Sequence, residues 1–190
     1  MVNRAIKRNC NRLISVEGCQ VFELQTQRLR LTELSPADGP FIQALFTDPD
    51  CLRFIGDRGI TDLASAETYL KDRLMASYRE HGFGLYKVTL LGADTAMGIC
   101  GLVKRDADNP PDIGFAFLPA HRGGGYCTEA AQAILDWAQQ QRISDTILAY
   151  TNPENAASIH VLEKIGLQRQ TITTLPGQDF PSLILQIRIC

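Results

Sequence analysis

The chain has 190 residues, 45% of them hydrophobic, and a formal net charge of −2. That is enough apolar material for one substantial core and too little length for two. Charge so near neutrality removes any electrostatic case for nucleic-acid binding, and no apolar run approaches the roughly 18 residues that mark a membrane span. Six cysteines, at 10, 19, 51, 100, 127 and 190, form neither C-x-x-C pairs nor clusters with histidine at metal-ligand spacing, so a reduced, cytoplasmic protein without a metal is expected.

Residues 1–25 read as a basic N-terminal extension, because Arg4, Lys7, Arg8 and Arg12 face only Glu17 and no signal-like hydrophobic region is present. The domain is expected over 26–190. Its first strand is Thr26 to Leu34, with Leu29 and Leu31 on one face and Arg28, Arg30 and Thr32 on the other. Ser35-Pro36-Ala37-Asp38 supplies a cap, a proline at the first helical position and an acid in the first turn, opening a helix through about Phe46. Asp48-Pro49-Asp50 reads as a turn, with Cys51 to Ile55 a short segment after it. Thr61 or Asp62 caps the next helix, which turns Ala66, Leu70 and Leu74 inward and stops at Gly82. Three strands follow, about Gly84 to Leu90, Ala96 to Lys104 and Asp112 to Leu118.

The next stretch, Pro119 to Arg142, organises the rest. Three successive glycines at 123, 124 and 125 precede a helix in which Cys127, Ala130, Ala131, Ile134 and Ala138 recur at helical spacing. Glycines leave room for a ligand to approach the backbone, and the unpaired amides of a helix N-terminus face the same spot, which makes an anion cradle. The cradle is neither a dinucleotide fingerprint, since Thr128 stands where the last glycine belongs, nor a P-loop, since Tyr126 and Cys127 follow Gly125. Glu129, in the helix's first turn, complements the dipole.

Thr146 to Thr151 is a short apolar strand, parallel to the strand before the cradle because a helix joins them. In the helix Asn155 to Ile165 the inward stripe is Ser158, Val161, Leu162 and Ile165, with Asn155 one turn ahead of Ser158. Asn155 either caps this helix or meets a ligand, and Ser158 either bonds back to a carbonyl or does the same. His160, Glu163 and Lys164 fall on the outer face, and His81 lies at a helix end, where an imidazole suits the dipole. Strands Gln168 to Leu175 and Leu183 to Ile189 close the chain. The whole reads as one mixed α/β sheet domain.

Together these residues resemble the GNAT N-acetyltransferase superfamily, most closely its RimJ/RimL-like, ribosomal-protein N-terminal acetyltransferase branch. Thr26-Gln27-Arg28-Leu29-Arg30-Leu31 is similar to that branch's opening T-E-R-L-x-L-R. Arg122-Gly123-Gly124-Gly125-Tyr126-Cys127-Thr128-Glu129-Ala130 is similar to the acyl-CoA signature R-x-x-G-x-G/A followed by T-E-A, with Cys127 in place of a small residue. Asn155-Ala156-Ala157-Ser158, then Val161 to Leu167, resembles N-x-x-S-x-x-V-L-E-K-x-G-F.

The resemblance implies a mixed, mostly antiparallel sheet of about seven strands flanked by about four helices. It implies acetyl-CoA as cosubstrate, its pyrophosphate on the backbone amides of Arg122, Gly123, Gly124, Gly125, Tyr126, Cys127 and Thr128. The strand through Phe117 and Leu118 would splay from its neighbour to admit pantetheine, Asn155 would bond the pantetheine arm, and Ser158 would lie near the thioester sulfur and assist the leaving thiolate. For the base, the strand after Gln168 offers no acid, and Asp112, on the face of Gly114 and Ala116, is the candidate, acting through water. The expected activity is acetyl transfer by direct attack of a primary amine, from a protein N-terminus or a small molecule. The alternative is a non-catalytic acyl-CoA-binding regulator. No membrane or nucleic-acid partner is expected, homodimerisation stays open, and loops Ile55 to Thr61 and Pro176 to Pro181 would choose the acceptor.

Overall fold

The computed structural model describes residues 14–16, 19–175 and 180–189. The basic residues Arg4, Lys7, Arg8 and Arg12, and most of the loop Pro176 to Pro181, lie outside the described residues. A two-stranded antiparallel ribbon, β1 (Ile14–Val16) with β2 (Cys19–Val21), precedes the main sheet. That sheet comprises β3 (Glu23–Gln25), β4 (Leu29–Thr32), β5 (Leu85–Leu90), β6 (Ala96–Val103), β7 (Asp112–Phe117), β8 (Thr146–Thr151), β9 (Gln168–Thr174) and β10 (Pro181–Arg188). Across the sheet the order is β3-β4-β5-β6-β7-β8-β10-β9. Every neighbouring pair is antiparallel except β7 with β8, which run parallel because α5 (Tyr126–Gln140) carries the chain from one to the other.

Helices cover both faces. On one side lie α1 (Gly39–Phe46), α2 (Pro49–Phe54) and α3 (Leu63–Tyr69), and on the other α5 and α6 (Ala156–Lys164), while α4 (Ala76–His81) sends Tyr78 against the α5 layer. The central strand β6 is therefore buried from Met97 through Leu102, as a strand covered on both faces must be. One apolar layer gathers Tyr86, Ile134 and Trp137 under α5, and the other gathers Ile42, Leu45, Leu70 and Ile99 under α1 and α3.

Helix α3 opens on Asp62, whose carboxylate accepts from Ser65 N at 2.8 Å, and α4 ends at Gly82 with φ 75°. Between them Leu70–Met75 is π-helical, so α3 and α4 form one rod with a widened middle. Ala66, Leu70 and Leu74 point inward at 0%, 1% and 5% exposure, as their spacing predicts.

Three expectations change. The extension does not reach residue 25, because Phe22 and Leu24 are buried and β3 pairs with β4. Phe22 stacks on Tyr86 with ring centroids 3.6 Å apart and meets the edge of Trp137 at 5.2 Å, burial that a solvated tail cannot supply. This strand raises the main sheet from about seven members to eight. Asp48-Pro49-Asp50 starts a helix rather than only turning the chain, since Asp48 Oδ1 accepts from Asp50 N and Cys51 N at 3.2 and 3.3 Å. Among the described residues no helix is long and apolar enough to cross a membrane, and no cluster of three metal-ligating side chains occurs.

Candidate active site

The site begins where β7 and β8 separate. Their ladder holds a single registered pair, Asp112 with Leu148, and Leu148 N donates to Pro111 O at 3.0 Å. Beyond that pair the strands diverge. Leu118 N turns back to Met97 O on the antiparallel side, so the edge of β7 toward β8 stays open above Phe115 and Phe117. A cleft of about 890 Å³ occupies the gap and runs from the rod of α3 and α4 to the first turn of α5.

At the α5 end the three glycines each have a stated need. Gly123 and Gly125 sit at φ 77°, in the left-handed region that side chains rarely adopt, and a Cβ on Gly124 would meet the Tyr126 ring at 2.8 Å. Gly125 is the residue before the helix, and its carbonyl takes the first helical bond, from Glu129 N at 3.1 Å. The amides of Tyr126, Cys127 and Thr128 are thus left without helical acceptors, at the positive end of the helix.

Two clamps hold this loop. Arg122 Nε donates to Phe117 O at 2.8 Å, and its guanidinium pairs with Asp48 and Asp50 at the start of α2. Burial opposes ionisation of Asp48, but the Arg122 hydrogen bond and the amides of Cys51 and Asp50 hold its carboxyl below the usual range. The second clamp comes from the turn between β3 and β4. Glu129 accepts from Thr26 Oγ1 at 2.6 Å, Arg28 N at 2.9 Å and Arg28 Nε at 2.7 Å. Arg28 Nη1 donates to Gly124 O at 3.0 Å, and its guanidinium lies over the Tyr126 ring, 4.6 Å from the centroid. Gly124 O is so tied to Arg28. Against the effect of burial, these bonds keep the Glu129 carboxyl below its ordinary value.

The facing wall is α6. Asn155 caps it, its Oδ1 accepting from Ser158 N at 3.0 Å. Ser158 is half-buried on the cleft, and its hydroxyl makes no hydrogen bond among the described residues. The buried stripe is Ile159, Leu162 and Ile165, which corrects the expected inward set: Ser158 and Val161 sit at the cleft margin and Ile159 takes the core position. At the other end Asp112, 2% exposed, receives Arg105 Nε at 2.7 Å and Nη2 at 3.0 Å. Burial pushes the Asp112 carboxyl up, and Arg105 offsets only part of the rise. Arg105 also covers the Tyr150 ring, 4.9 Å from its centroid.

A family model described as an acetyltransferase (GNAT) domain matches residues 28–168. The chain belongs to the GNAT acetyltransferase family. It is an acyltransferase. Among curated relatives it is 30% identical over 148 residues to an uncharacterized protein of Bacillus subtilis, YkkB, an alignment covering 76% of this chain and 84% of the relative. Its fold is similar to the GNAT-family acetyltransferase from Bacillus anthracis, with TM-score 0.76 and 23% identity over 88% of this chain and 99% of that one. It is also similar in fold to RimL, a ribosomal L7/L12 alpha-N-protein acetyltransferase, in complex with coenzyme A, with TM-score 0.65 and 13% identity over 86% and 95% of the two chains.

The GNAT domain brings Arg122, Gly123, Gly125, Tyr126, Cys127 and Thr128 of the expected cradle together with Phe117, Asn155, Ser158 and Asp112 around one cleft, whereas Leu118 packs against the apolar layer under α1 and α3 and Gly124 turns its carbonyl to Arg28; two further adjustments follow. The Arg122 side chain braces the loop from behind, and Glu129, expected to answer only the helix dipole, anchors the β3–β4 turn. His81, His160 and Lys164 are exposed on the rim, while Glu163 pairs with Arg169 at 2.7 Å. Arg58 falls in the loop Ile55 to Thr61 expected to choose the acceptor, whereas the Arg28 clamp and the wall residues Tyr69 and Arg73 were not anticipated as site residues. Arg28 lies 101 residues from Glu129, and only its place in the T-Q-R-L-R-L opening hinted at it.

Proposed function

We propose that this GNAT enzyme is an acetyl-CoA-dependent N-acetyltransferase of the cytoplasm that moves the acetyl group to a primary amine bound in the same cleft. The observation that carries the reading is the single β7–β8 pair beside an α5 N-terminus with three unpaired amides. An extended thioester arm needs a gap between strands, and a diphosphate needs amide donors at its far end. The residues fit such a ligand. Gly123 has open space where a side chain would stand, a Cβ on Gly125 would meet only the Arg28 guanidinium at 3.4 Å, and Phe115 and Phe117 offer apolar surface along the arm. The free thiols of Cys51, Cys100 and Cys127 agree with a reducing compartment.

Acetyl-CoA supplies an activated acyl carbon whose bond to sulfur breaks as the bond to nitrogen forms. The chain's own groups do the rest. Amides of Tyr126, Cys127 and Thr128 hold the diphosphate, and the Asn155 side-chain amide bonds the arm while its oxygen caps α6. Asp112, raised in pKa and sitting in the cleft, takes the amine's proton through water, and Arg105 steadies the carboxylate between turnovers. The free Ser158 hydroxyl donates to the leaving sulfur.

The test is calorimetric titration with acetyl-CoA, NADH and ATP, followed by a thiol assay of free CoA release over a panel of primary amines. Binding of acetyl-CoA alone, with amine-dependent release, is expected. Binding of NADH without acetyl-CoA overturns the reading, and tight acetyl-CoA binding with no release on any amine assigns the chain to the regulator class instead.

A further inference from the structure

The acceptor end of the cleft is walled by three guanidinium groups from three elements. Arg58 comes from the loop ahead of α3, Arg73 from the π-helical middle of the rod, and Arg105 from the segment after β6. All three line the same cleft as Tyr69, whose ring is braced edge-on by Phe46 at 5.3 Å. Burial raises the Tyr69 pKa, and every charge acting on it, Arg58, Arg73 and Arg105, pulls it back down. Asp72 and Glu80 stand on the same rod, but among the described residues neither pairs with an arginine, and neither contributes to the shift of Tyr69.

These cations differ in commitment. Arg105 is spent on Asp112. Among the described residues Arg58 donates once, from Nη2 to Ile55 O at 3.3 Å, which leaves most of its fork unused there. Arg73 and the Tyr69 hydroxyl make no hydrogen bond or ion pair among the described residues. One uncommitted guanidinium fork, a second that is engaged through a single N–H, and a hydroxyl, all lining one cleft, suit a planar or tetrahedral oxyanion, to which arginine binds through paired N–H groups. A plain cationic amine meets repulsion there. The same positive field favours loss of the proton that an amine must shed before it attacks.

Resting on the transferase reading, the geometry points to an acceptor that carries an oxyanion, carboxylate or phosphate, beside its primary amine, bound by Arg58 and Arg73 with the Tyr69 hydroxyl donating. The acceptor class is then an amino-acid-like or phosphorylated small amine. Polyamines and other purely cationic amines gain nothing from Arg58 and Arg73, because they bring no negative charge to them.

The experiment titrates the protein with acetyl-CoA first, then titrates the CoA-saturated protein with matched pairs. One arm sets a panel of L-amino acids against their amides, and the other sets phosphoethanolamine against ethanolamine. The anionic member should bind at least about tenfold more tightly in one arm, which also tells carboxylate from phosphate. Arg58→Gln and Arg73→Gln should each cut that member's affinity about tenfold, leave the neutral member's unchanged and spare acetyl-CoA affinity, and lysine at either position should restore part of the loss. Equal binding within every pair, no binding by any anionic member, or a preference that survives both glutamine variants overturns the proposal. Failure of acetyl-CoA to bind in the first titration overturns the transferase reading itself, and it is read before any acceptor is added.

Discussion

Ser158 and Asp112 reach the cleft from different elements, and their surroundings give them different expected signatures. Ser158→Ala removes a hydroxyl that has no hydrogen-bond partner among the described residues, so folding should be unaffected. Its donor is needed when negative charge grows on sulfur, so kcat should fall about 10- to 100-fold with acetyl-CoA affinity nearly constant. A wild-type kcat would reduce Ser158 to a packing residue. For Asp112 the sign follows from burial: its folded pKa lies above the ordinary aspartate value near 3.9, so the carboxylate form is lost on acidification sooner than in a free side chain. Below that pKa, log kcat/KM should steepen by one unit of slope beyond the unit due to protonating the amine. Asp112→Asn should abolish the second unit and lower kcat/KM about 100-fold. A raised carboxylate pKa also means that the fold is relieved, not weakened, when Asp112 is protonated, so any acid unfolding has another source.

That source is a clamp between elements. Glu129 ties α5 to the β3–β4 turn and has a folded pKa below its usual value, as does Asp48 at the start of α2. For a depressed carboxylate the stability is fully present above the unfolded pKa, near 4.3 for a glutamate, and is lost as pH falls through the lower folded value. Melting temperature should therefore drop with pH in that window, and Glu129→Gln should flatten the drop. Arg28→Ala frees Gly124 O and uncovers Tyr126, so KM for acetyl-CoA should rise about tenfold with kcat within about threefold of wild type. An unchanged KM would mean that the loop holds its shape without Arg28. The cradle was legible because consecutive glycines ahead of an amphipathic helix are a local signal. Its clamps were not, since Arg28 and Glu129, or Arg122 and Asp48, are joined only by folding. The π-helical turn was hidden too, because Ala66, Leu70 and Leu74 satisfy an ordinary helical period whether or not one turn is widened.

At the scale of the molecule, the succession of strands along the chain and the parallel crossover could be read from alternation and from the helix between the glycines and Thr146, whereas the insertion of β10 between β8 and β9 could not. The start of the domain could not. Phe22 and Leu24 flank a single glutamate, and the run from Leu13 to Val21 ahead of them reads together with the basic residues Arg4 to Arg12, so two core residues look like the end of a tail. A chain beginning at residue 26 should lose at least about 3 kcal/mol of stability, since truncating one buried Phe or Leu already costs that order. A chain beginning at residue 22 keeps both side chains and should unfold at higher denaturant than the shorter one. Equal midpoints would show that Phe22 contributes nothing beyond contact.

The lone registered pair between β7 and β8 also divides the sheet into two panels, β3 to β7 and β8 to β9, that share backbone bonds at one end only. Amide protons along the diverging edges have no ladder to protect them, although they lie at the centre of the molecule. In deuterated solvent the segment Gly114–Phe117 and its neighbour Ala149–Thr151 should exchange faster than equally central β6. A ligand seated in the gap should slow that exchange most where the panels are farthest apart, so the protein's least protected interior backbone would report occupancy without any chemical step taking place.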